Sequence, residues 1–517
     1  MTVPVAGTDG DAADPVGVTT AGCAGWELLE QAAAQTRAKT KAKAMRWGDR
    51  LMRKVFSDRS TMHNPKASLS RSTACRGHAT VRRVRILGVG DYNDFGSLYL
   101  RLAAEGHTVR VHIAEEGSHD VLRDMVELAP SWEAELPWIR EAGRDGLILF
   151  EEVGRGEVQD RLRREGYHVV GGSAIGDRLE QVRAFGQATL RDAGMLTLPT
   201  HPFASFDDAI AFIRAQPGRY VLKFNGSYLP SDANYVGMRA DGVDVIAALT
   251  RHRRTWEEDY DEPPELILTD FVAGVETGLG AFFNGSEFVG PVNLDWEHKR
   301  FFAGDLGELT SEMGTVVTYR GGDKLFAATL ARIAPVLRGA GHVGYVNLNT
   351  IINSDGVWPL ELTCRFGYPG FAILSALFDE PCADILQRVA IGGTTPLLTH
   401  DGYAVGVVLT VPPFPHHHGY DELGKGTPIC LPDDLTDEDR RNLHFGEVGM
   451  DGDQLVMTGQ VGFVMVVTGR GTTIEEAQRA CYALASRIAV PNVRYRNDIG
   501  TALRTTRLAE LTRLGWL

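Results

Sequence analysis

Val343-Gly-Tyr-Val-Asn347-Leu-Asn349-Thr-Ile-Ile352 runs into Asn353-Ser-Asp-Gly356, and Trp358-Pro-Leu-Glu361-Leu-Thr363-Cys-Arg365 follows. Two strand-like segments around an Asp-Gly turn predict a β-hairpin. Side chains alternate across a strand, so Glu361 and Thr363 share a side, as do Asn347 and Asn349 on the partner strand. Oxygen ligands gathered on one sheet face suit Mg²⁺, a hard cation that keeps waters and bridges phosphates. Arg365 follows on the same side, where a guanidinium can clamp a phosphate or carboxylate. Trp358, Leu360 and Leu362 give the other face apolar area to bury. A merely solvated polar face is the plainer alternative.

Working outward, Ala281-Phe-Phe283 and Glu287-Phe-Val289 flank Asn284-Gly285, a second hairpin signal. Strands are expected at Leu266–Val272 and Tyr220–Phe224, and one amphipathic helix over Leu179–Ala193. Nearer the N-terminus, Val84–Gly88, Thr108–Ile113, Gly146–Phe150 and Val169–Gly171 read as strands. Helices near Ser97–Glu105 and Glu157–Glu165 separate them. That alternation predicts a parallel, doubly wound domain. Toward the C-terminus, strands near Ala404–Val411 and Val461–Thr468 precede a capping box, Thr473-Ile-Glu-Glu476, that opens a helix to about Ile488.

Lys223 stands in the otherwise apolar run Val221-Leu-Lys-Phe224. A buried ammonium needs a partner, and a phosphate would supply one; an edge lysine is the alternative. In Leu268-Thr-Asp270-Phe271-Val272-Ala-Gly-Val-Glu276, a strand ending in a loop can offer its backbone to an adenine edge. Glu276 can then accept from ribose hydroxyls, although an exposed loop glutamate reads equally simply. His298-Lys299-Arg300, with Gly304-Asp305 and Glu308-Leu-Thr310, suits an anionic substrate or is a charged turn. His416-His417-His418 point in different directions and are not expected to share a metal. Gly88-Val89-Gly90 alone does not make a dinucleotide site.

The whole chain has 517 residues, 44% hydrophobic and 23% charged, with a net charge of −14. Three or four units are expected, without broad nucleic-acid binding by the folded body. No apolar run is long enough to span a membrane. Six scattered cysteines without a CxxC pair suit a reduced, cytoplasmic protein. Residues 1–83 differ in character, with nine basic residues between Arg37 and Arg59. This basic extension reads as solvated and disordered. Any nucleic-acid contact would come through it, and no secretory h-region follows it.

The order of these motifs resembles the glycinamide ribonucleotide synthetase (phosphoribosylamine–glycine ligase) family of the ATP-grasp superfamily, from about Val84 to Gly500. The most specific pieces are Glu297-His-Lys-Arg300 with Gly304-Asp305 and Glu312-Met-Gly314, Leu360-Glu-Leu-Thr-Cys-Arg-Phe-Gly-Tyr-Pro369, and Arg494-Tyr-Arg-Asn-Asp-Ile-Gly500. The resemblance implies an α/β and α+β multidomain protein. Its parts would be an N-terminal doubly wound domain (84–178), an ATP-grasp domain (179–395, lid about 200–265) and a C-terminal mixed β/α domain (396–517). It implies ligation of a small-molecule carboxylate to an amine through an acyl phosphate, with ATP and Mg²⁺ or Mn²⁺, by a monomer or homodimer. Arg183 and Lys223 would face the triphosphate, Asp270, Phe271 and Val272 the adenine, and Glu276 the ribose. Glu361, Thr363 and Asn347 would hold the metal, and Arg300 and Arg365 the acid or acyl phosphate. Asp91, Asn93, Asp94, His298, Lys299, Asp305 and Thr310 would line the substrate.

Departures from the family pattern matter as much. The Gly-Gly-Arg-Glu-His loop is Gly90-Asp-Tyr-Asn-Asp-Phe-Gly96 here, and Gly-Pro-Glu is replaced within Phe150-Glu-Glu-Val-Gly154. An arginine and a histidine are lost and acids gained, which disfavours a phosphate ester. The glycine- and lysine-bearing loop over ATP becomes Ser227-Tyr-Leu-Pro-Ser-Asp-Ala-Asn-Tyr235. Thr363 replaces an asparagine, Asn347 an acid, Arg183 a lysine, and Tyr368-Pro-Gly370 stands for Asp-Pro-Glu. These changes cluster at the amine side. They favour a ligase with an altered amine over the housekeeping purine enzyme, or over a nucleotide-binding protein without catalysis.

Overall fold

The computed structural model describes residues 83–224, 233–259 and 265–517. The basic extension and positions 227–232 of the rewritten loop lie outside the described residues. Among the described residues, no helix is long and apolar enough to cross a membrane.

The N-terminal strands form one parallel sheet in the order Glu127–Leu128, Thr108–Ile113, Arg85–Gly90, Gly146–Phe150, Val169–Val170. Leu87, Val89, Ile148 and Phe150 are fully buried in its core, as short apolar strands covered on both faces should be. Strand order reverses beside Arg85–Gly90. The loops after Arg85–Gly90 and Gly146–Phe150 therefore flank a topological switch point, where such sheets open a ligand crevice. Asp91, Asn93 and Asp94 lie on the first loop, and Glu151 and Glu152 on the second.

The expected helix over Leu179–Ala193 is two helices, Ala174–Gln181 and Arg183–Asp192, broken at Val182. Gly186 packs so tightly on the Leu179 carbonyl that a side chain there would collide with it, which a single straight helix would not require. The break sets Arg183 at a helix start.

A small antiparallel sheet follows, ordered Thr200–Phe203, Leu266–Asp270, Tyr220–Phe224, Tyr235–Val236. The strand expected to reach Val272 ends at Asp270. Phe206, Ile210, Leu222, Phe224 and Trp256 form this unit's own core.

The largest sheet has eight strands: Gly356–Thr363, Val343–Asn353, Val275–Asn284, Phe288–Glu297, Gly314–Thr318, Tyr403–Thr410, Phe463–Gly471 and Leu443–Phe445. Both expected hairpins are present and longer than expected. The expected boundary at 395/396 does not divide the sheet, because Gly314–Thr318 pairs in register with Tyr403–Thr410. The helix Ile474–Ala485 starts where the capping box places it. Thr473 accepts from the Glu476 amide, but Glu476 reaches back to Thr472 rather than to Thr473.

Candidate active site

The main hairpin sets Asn347 opposite Thr363 and Asn349 opposite Glu361, so all four side chains share one face. Glu361 is the hub of that face. Arg183 Nη1 lies 2.8 Å and Lys223 Nζ 2.9 Å from its Oε2, and Lys299 Nζ lies 3.7 Å from its Oε1. Three cations from three elements thus meet on one carboxylate. Lys223, mainly, then Lys299 and Arg183 hold that carboxyl well below the usual range, against the effect of burial. Burial lowers the Lys223 pKa more than Glu361 raises it, as expected of an ammonium desolvated in an apolar strand.

Lys299 also lies 3.0 Å from Glu297 and 3.3 Å from Glu276. Burial alone would lower its pKa, but the three carboxylates hold it well above the ordinary value. Glu276 is thereby placed at the edge of the same cluster. Asp270, Phe271 and Val272 lie at the end of their strand. Phe271 stacks under Arg219, whose guanidinium carbon is 3.3 Å from the ring centroid, and Asp270 faces His201 at 3.5 Å.

The other expected substrate residues separate. His298 is buried, accepts from the Gly500 amide at 3.2 Å, and burial followed by Arg496 lowers its pKa to about 4. It is neutral and turned into the protein, so it is no anion ligand. Asp305 pairs with Arg496 at 2.9 Å, and Thr310 donates to the Lys299 carbonyl at 2.8 Å. Both anchor the motif rather than face the Glu361 cluster. Arg300 donates to the Gly307 carbonyl at 2.8 Å. Arg365 bonds Glu180 at 3.0 Å and feels Asp94, which sets it at the N-terminal crevice and not on Glu361.

At that crevice Glu151 accepts from the Tyr99 hydroxyl at 2.6 Å and from the Phe95 amide at 3.2 Å. Glu152 accepts from the Asp91 amide at 2.9 Å, and Arg155 pairs with Asp91. Burial, then Asp94, pushes Glu152 up to about 8, and burial raises Asp94 itself.

Two further acids escape the sequence reading. Asp295, on the strand next to Glu297, accepts from Asn347 at 2.7 Å and Asn293 at 3.1 Å. Burial and then Glu297 raise its pKa to about 7. Glu312, two residues before Gly314, is raised well above the carboxylate range by burial, then Glu297 and Asp295. The available signal for Asp295 was the alternation Asn293, Asp295, Glu297 on one strand face. Nothing local marked Glu312.

A bound Mg²⁺ fits this chemistry only as a partner of phosphates. Among the described residues no three His, Cys, Asp or Glu side chains are placed to hold a metal ion. Mg²⁺ commonly takes one or two carboxylates and completes its shell with water and phosphate oxygens.

Residues 404–502 match the family model described as phosphoribosylglycinamide synthetase, C domain. The chain is 29% identical to a phosphoribosylamine–glycine ligase of Corynebacterium ammoniagenes, over 82% of this chain and 99% of that one. It is 25% identical to the corresponding enzyme of Ralstonia nicotianae, over 81% and 99%. A solved phosphoribosylamine–glycine ligase from Thermotoga maritima aligns with a TM-score of 0.61 at 23% identity, covering 80% of this chain and all of that one. A biotin carboxylase from Campylobacter jejuni aligns at 0.55 with 10% identity, covering 83% and 97%. These two likenesses are of fold.

Proposed function

We propose that this chain, a divergent member of the phosphoribosylamine–glycine ligase family, is an ATP-dependent carboxylate–amine ligase that forms an amide through an acyl phosphate. The observation that carries the reading is the convergence of Lys223, Arg183 and Lys299 on Glu361. A carboxylate oxygen attacks the terminal phosphorus of ATP and ADP leaves. The amine then attacks the acyl carbon, the C–N bond forms, the C–O bond to phosphate breaks, and the amine gives up a proton. Phosphoryl transfer depends on positioning and charge neutralisation more than on covalent help.

In this reading Lys223 and Arg183 neutralise the triphosphate. Asp270 to Val272 edge the adenine, and Glu276 takes the ribose hydroxyls. Arg365, and Arg300 from the exposed side, hold the acid or acyl phosphate. Glu361, with Thr363 and Asn347 on the neighbouring rung, would hold Mg²⁺ or Mn²⁺, which would supply charge neutralisation to the phosphates. The working division is 84–178, 179–395 and 396–517, in a cytoplasmic monomer or homodimer acting on small molecules.

The reading is tested by ADP release across a panel of acids and amines. Release that needs both an acid and an amine is expected. Nucleotide binding without any release would leave a non-catalytic protein. A second reading, the purine enzyme itself, draws on the near-complete coverage of the curated relatives. Rescue of a purine auxotroph lacking the synthetase would favour it.

A further inference from the structure

Gly88-Val89-Gly90 ends the strand beside which the order of the parallel sheet reverses, and the helix Gly96–Ala104 follows. Such a place offers an anion backbone amides and a helix start. Here it is filled from within. A side chain at Gly88 would collide with the Tyr99 ring, and one at Gly90 with the Glu151 carboxyl. The two glycines make room for the protein's own groups.

The donors around this seat go to the two acids of the neighbouring loop. The Asp91 amide donates to both oxygens of Glu152, at 2.9 and 3.1 Å. The Phe95 amide donates to Glu151 Oε2 at 3.2 Å, and the Tyr99 hydroxyl to Glu151 Oε1 at 2.6 Å. Arg155 pairs with Asp91 and lies 3.6 Å from Glu152. The helix itself has no side-chain cap and no acid in its first turn, so Glu151 reaches its start from another element.

Two consecutive carboxyls, one of them only 2% exposed, are a costly way to pin a loop. The loop is strained as well. Asn93 has a φ of 66°, and its buried side-chain amide finds no partner among the described residues. A loop that keeps such features is shaped for something other than its own stability. A phosphate group at this place needs the donors that Glu151 and Glu152 hold. Whether or not Glu152 carries a proton, an oxygen remains to accept from the Asp91 amide.

We propose that Glu151 and Glu152 are specificity-determining residues. They occupy the anion seat beside Arg85–Gly90 and bar phosphate esters from the crevice, so the molecule bound there carries no phosphate at that end. Calling that molecule the amine substrate rests on the ligase reading; the exclusion does not.

The test is calorimetric titration of the full chain with ribose 5-phosphate, and with ribose as the control, in wild type, Glu152→Ala and Glu152→Ser. Both replacements are too short to reach the Asp91 amide, and both release one arm of Arg155. The Glu361 cluster is unchanged in them, so any gain belongs to the crevice. Each variant is expected to bind ribose 5-phosphate roughly tenfold tighter than wild type or more, with ribose unaffected. Adding Arg155→Ala to Glu152→Ala should remove most of the gain, which a merely structural role of Glu152 does not predict. Wild type binding ribose 5-phosphate as tightly as the variants, or no gain in either variant, would overturn the proposal. Loss of the fold in both, followed by circular dichroism, would make Glu152 a structural staple and overturn it too. ATP binding is measured separately. The gain without ATP binding would uphold the seat and remove the ligase reading, and ATP binding without the gain would do the reverse.

Discussion

Two neighbouring clusters of buried charge, joined through Lys299 and Asn347, are built in opposite ways. At Glu361 three cations from three elements surround one carboxylate, and every charge there has a partner within 4 Å. At Glu312 and Asp295 one carboxylate oxygen of each, Oε1 and Oδ1, is buried with nothing to accept from, while Asp295 Oδ2 accepts from Asn347 and Asn293. Elsewhere in the fold, buried acids such as Glu447 are satisfied by backbone amides. On the proposed reading the first arrangement is a cation set that takes the phosphates of ATP beside Glu361. The second is a set of acids that Lys299 offsets only in part.

The largest effect expected falls at the cation-rich end. Glu361→Ala should reduce acid- and amine-dependent ADP release by a factor of roughly 10³ or more, on the scale of losing a charge-positioning group in phosphoryl transfer. The fold should persist, as followed by circular dichroism. An unchanged rate would remove the metal assignment. At the acid end the expectation has the opposite sign for stability. Glu312→Gln removes an unpartnered carboxylate, so its melting temperature at pH 8 should rise, by an amount corresponding to about 1–3 kcal/mol. A fall would mean that Glu312 is satisfied in solution.

The acids at the crevice give a pH signature. Glu152 is pushed up to about 8 in the folded chain, above its ordinary value of 4.5. Between those values the folded state holds a proton that the unfolded state has lost. Stability therefore falls as pH rises through that window, by at most about 1.4 kcal/mol per pH unit for one group. Denaturant titrations of wild type and Glu152→Gln from pH 5 to pH 8 should diverge, with wild type losing ground as pH rises. Parallel curves would contradict the burial of Glu152 beside Asp94. The smallest effect on stability is expected at Arg300, whose half-buried side chain donates to a loop carbonyl at 2.8 Å. Arg300→Ala should cost under about 1 kcal/mol of stability. Turnover should nonetheless fall, because Arg300 is proposed to hold the acid or acyl phosphate; an unchanged rate would remove that role.

Much of this was legible in the sequence, for definite reasons. The hairpin, and the shared side of Glu361 with Thr363 and of Asn347 with Asn349 on their strands, follow from an Asp-Gly turn and a period of two, both local signals. The rung Asn349–Glu361 is set by a register shift between Asn349 and Thr350 that the turn does not announce. Lys223 declared itself as a charge in an apolar strand. The parallel sheet followed from strand–helix alternation. What was not legible depended on tertiary contact. The break at Val182 is set by the close approach of Gly186 to Leu179. The motif His298-Lys299-Arg300 reads as one basic patch, but His298 and Lys299 lie in the link between the strands Phe288–Glu297 and Arg300–Phe302, where the three side chains diverge. His298 is buried against Gly500, Lys299 joins the acids, and Arg300 faces outward. Glu312 stands in a segment, Glu312-Met-Gly314, that carries the family resemblance, but no pattern of residues gave it a role. It becomes notable only when Asp295 and Glu297, from another strand, come within electrostatic reach.

The central claim is that the convergence on Glu361 is a seat for the phosphates of ATP. Titration of the full chain with ATP and Mg²⁺, wild type against Lys223→Ala, tests it most directly. Loss of a buried charge-assisted contact predicts affinity reduced about tenfold to a hundredfold or more. Equal affinity in the two proteins would contradict it.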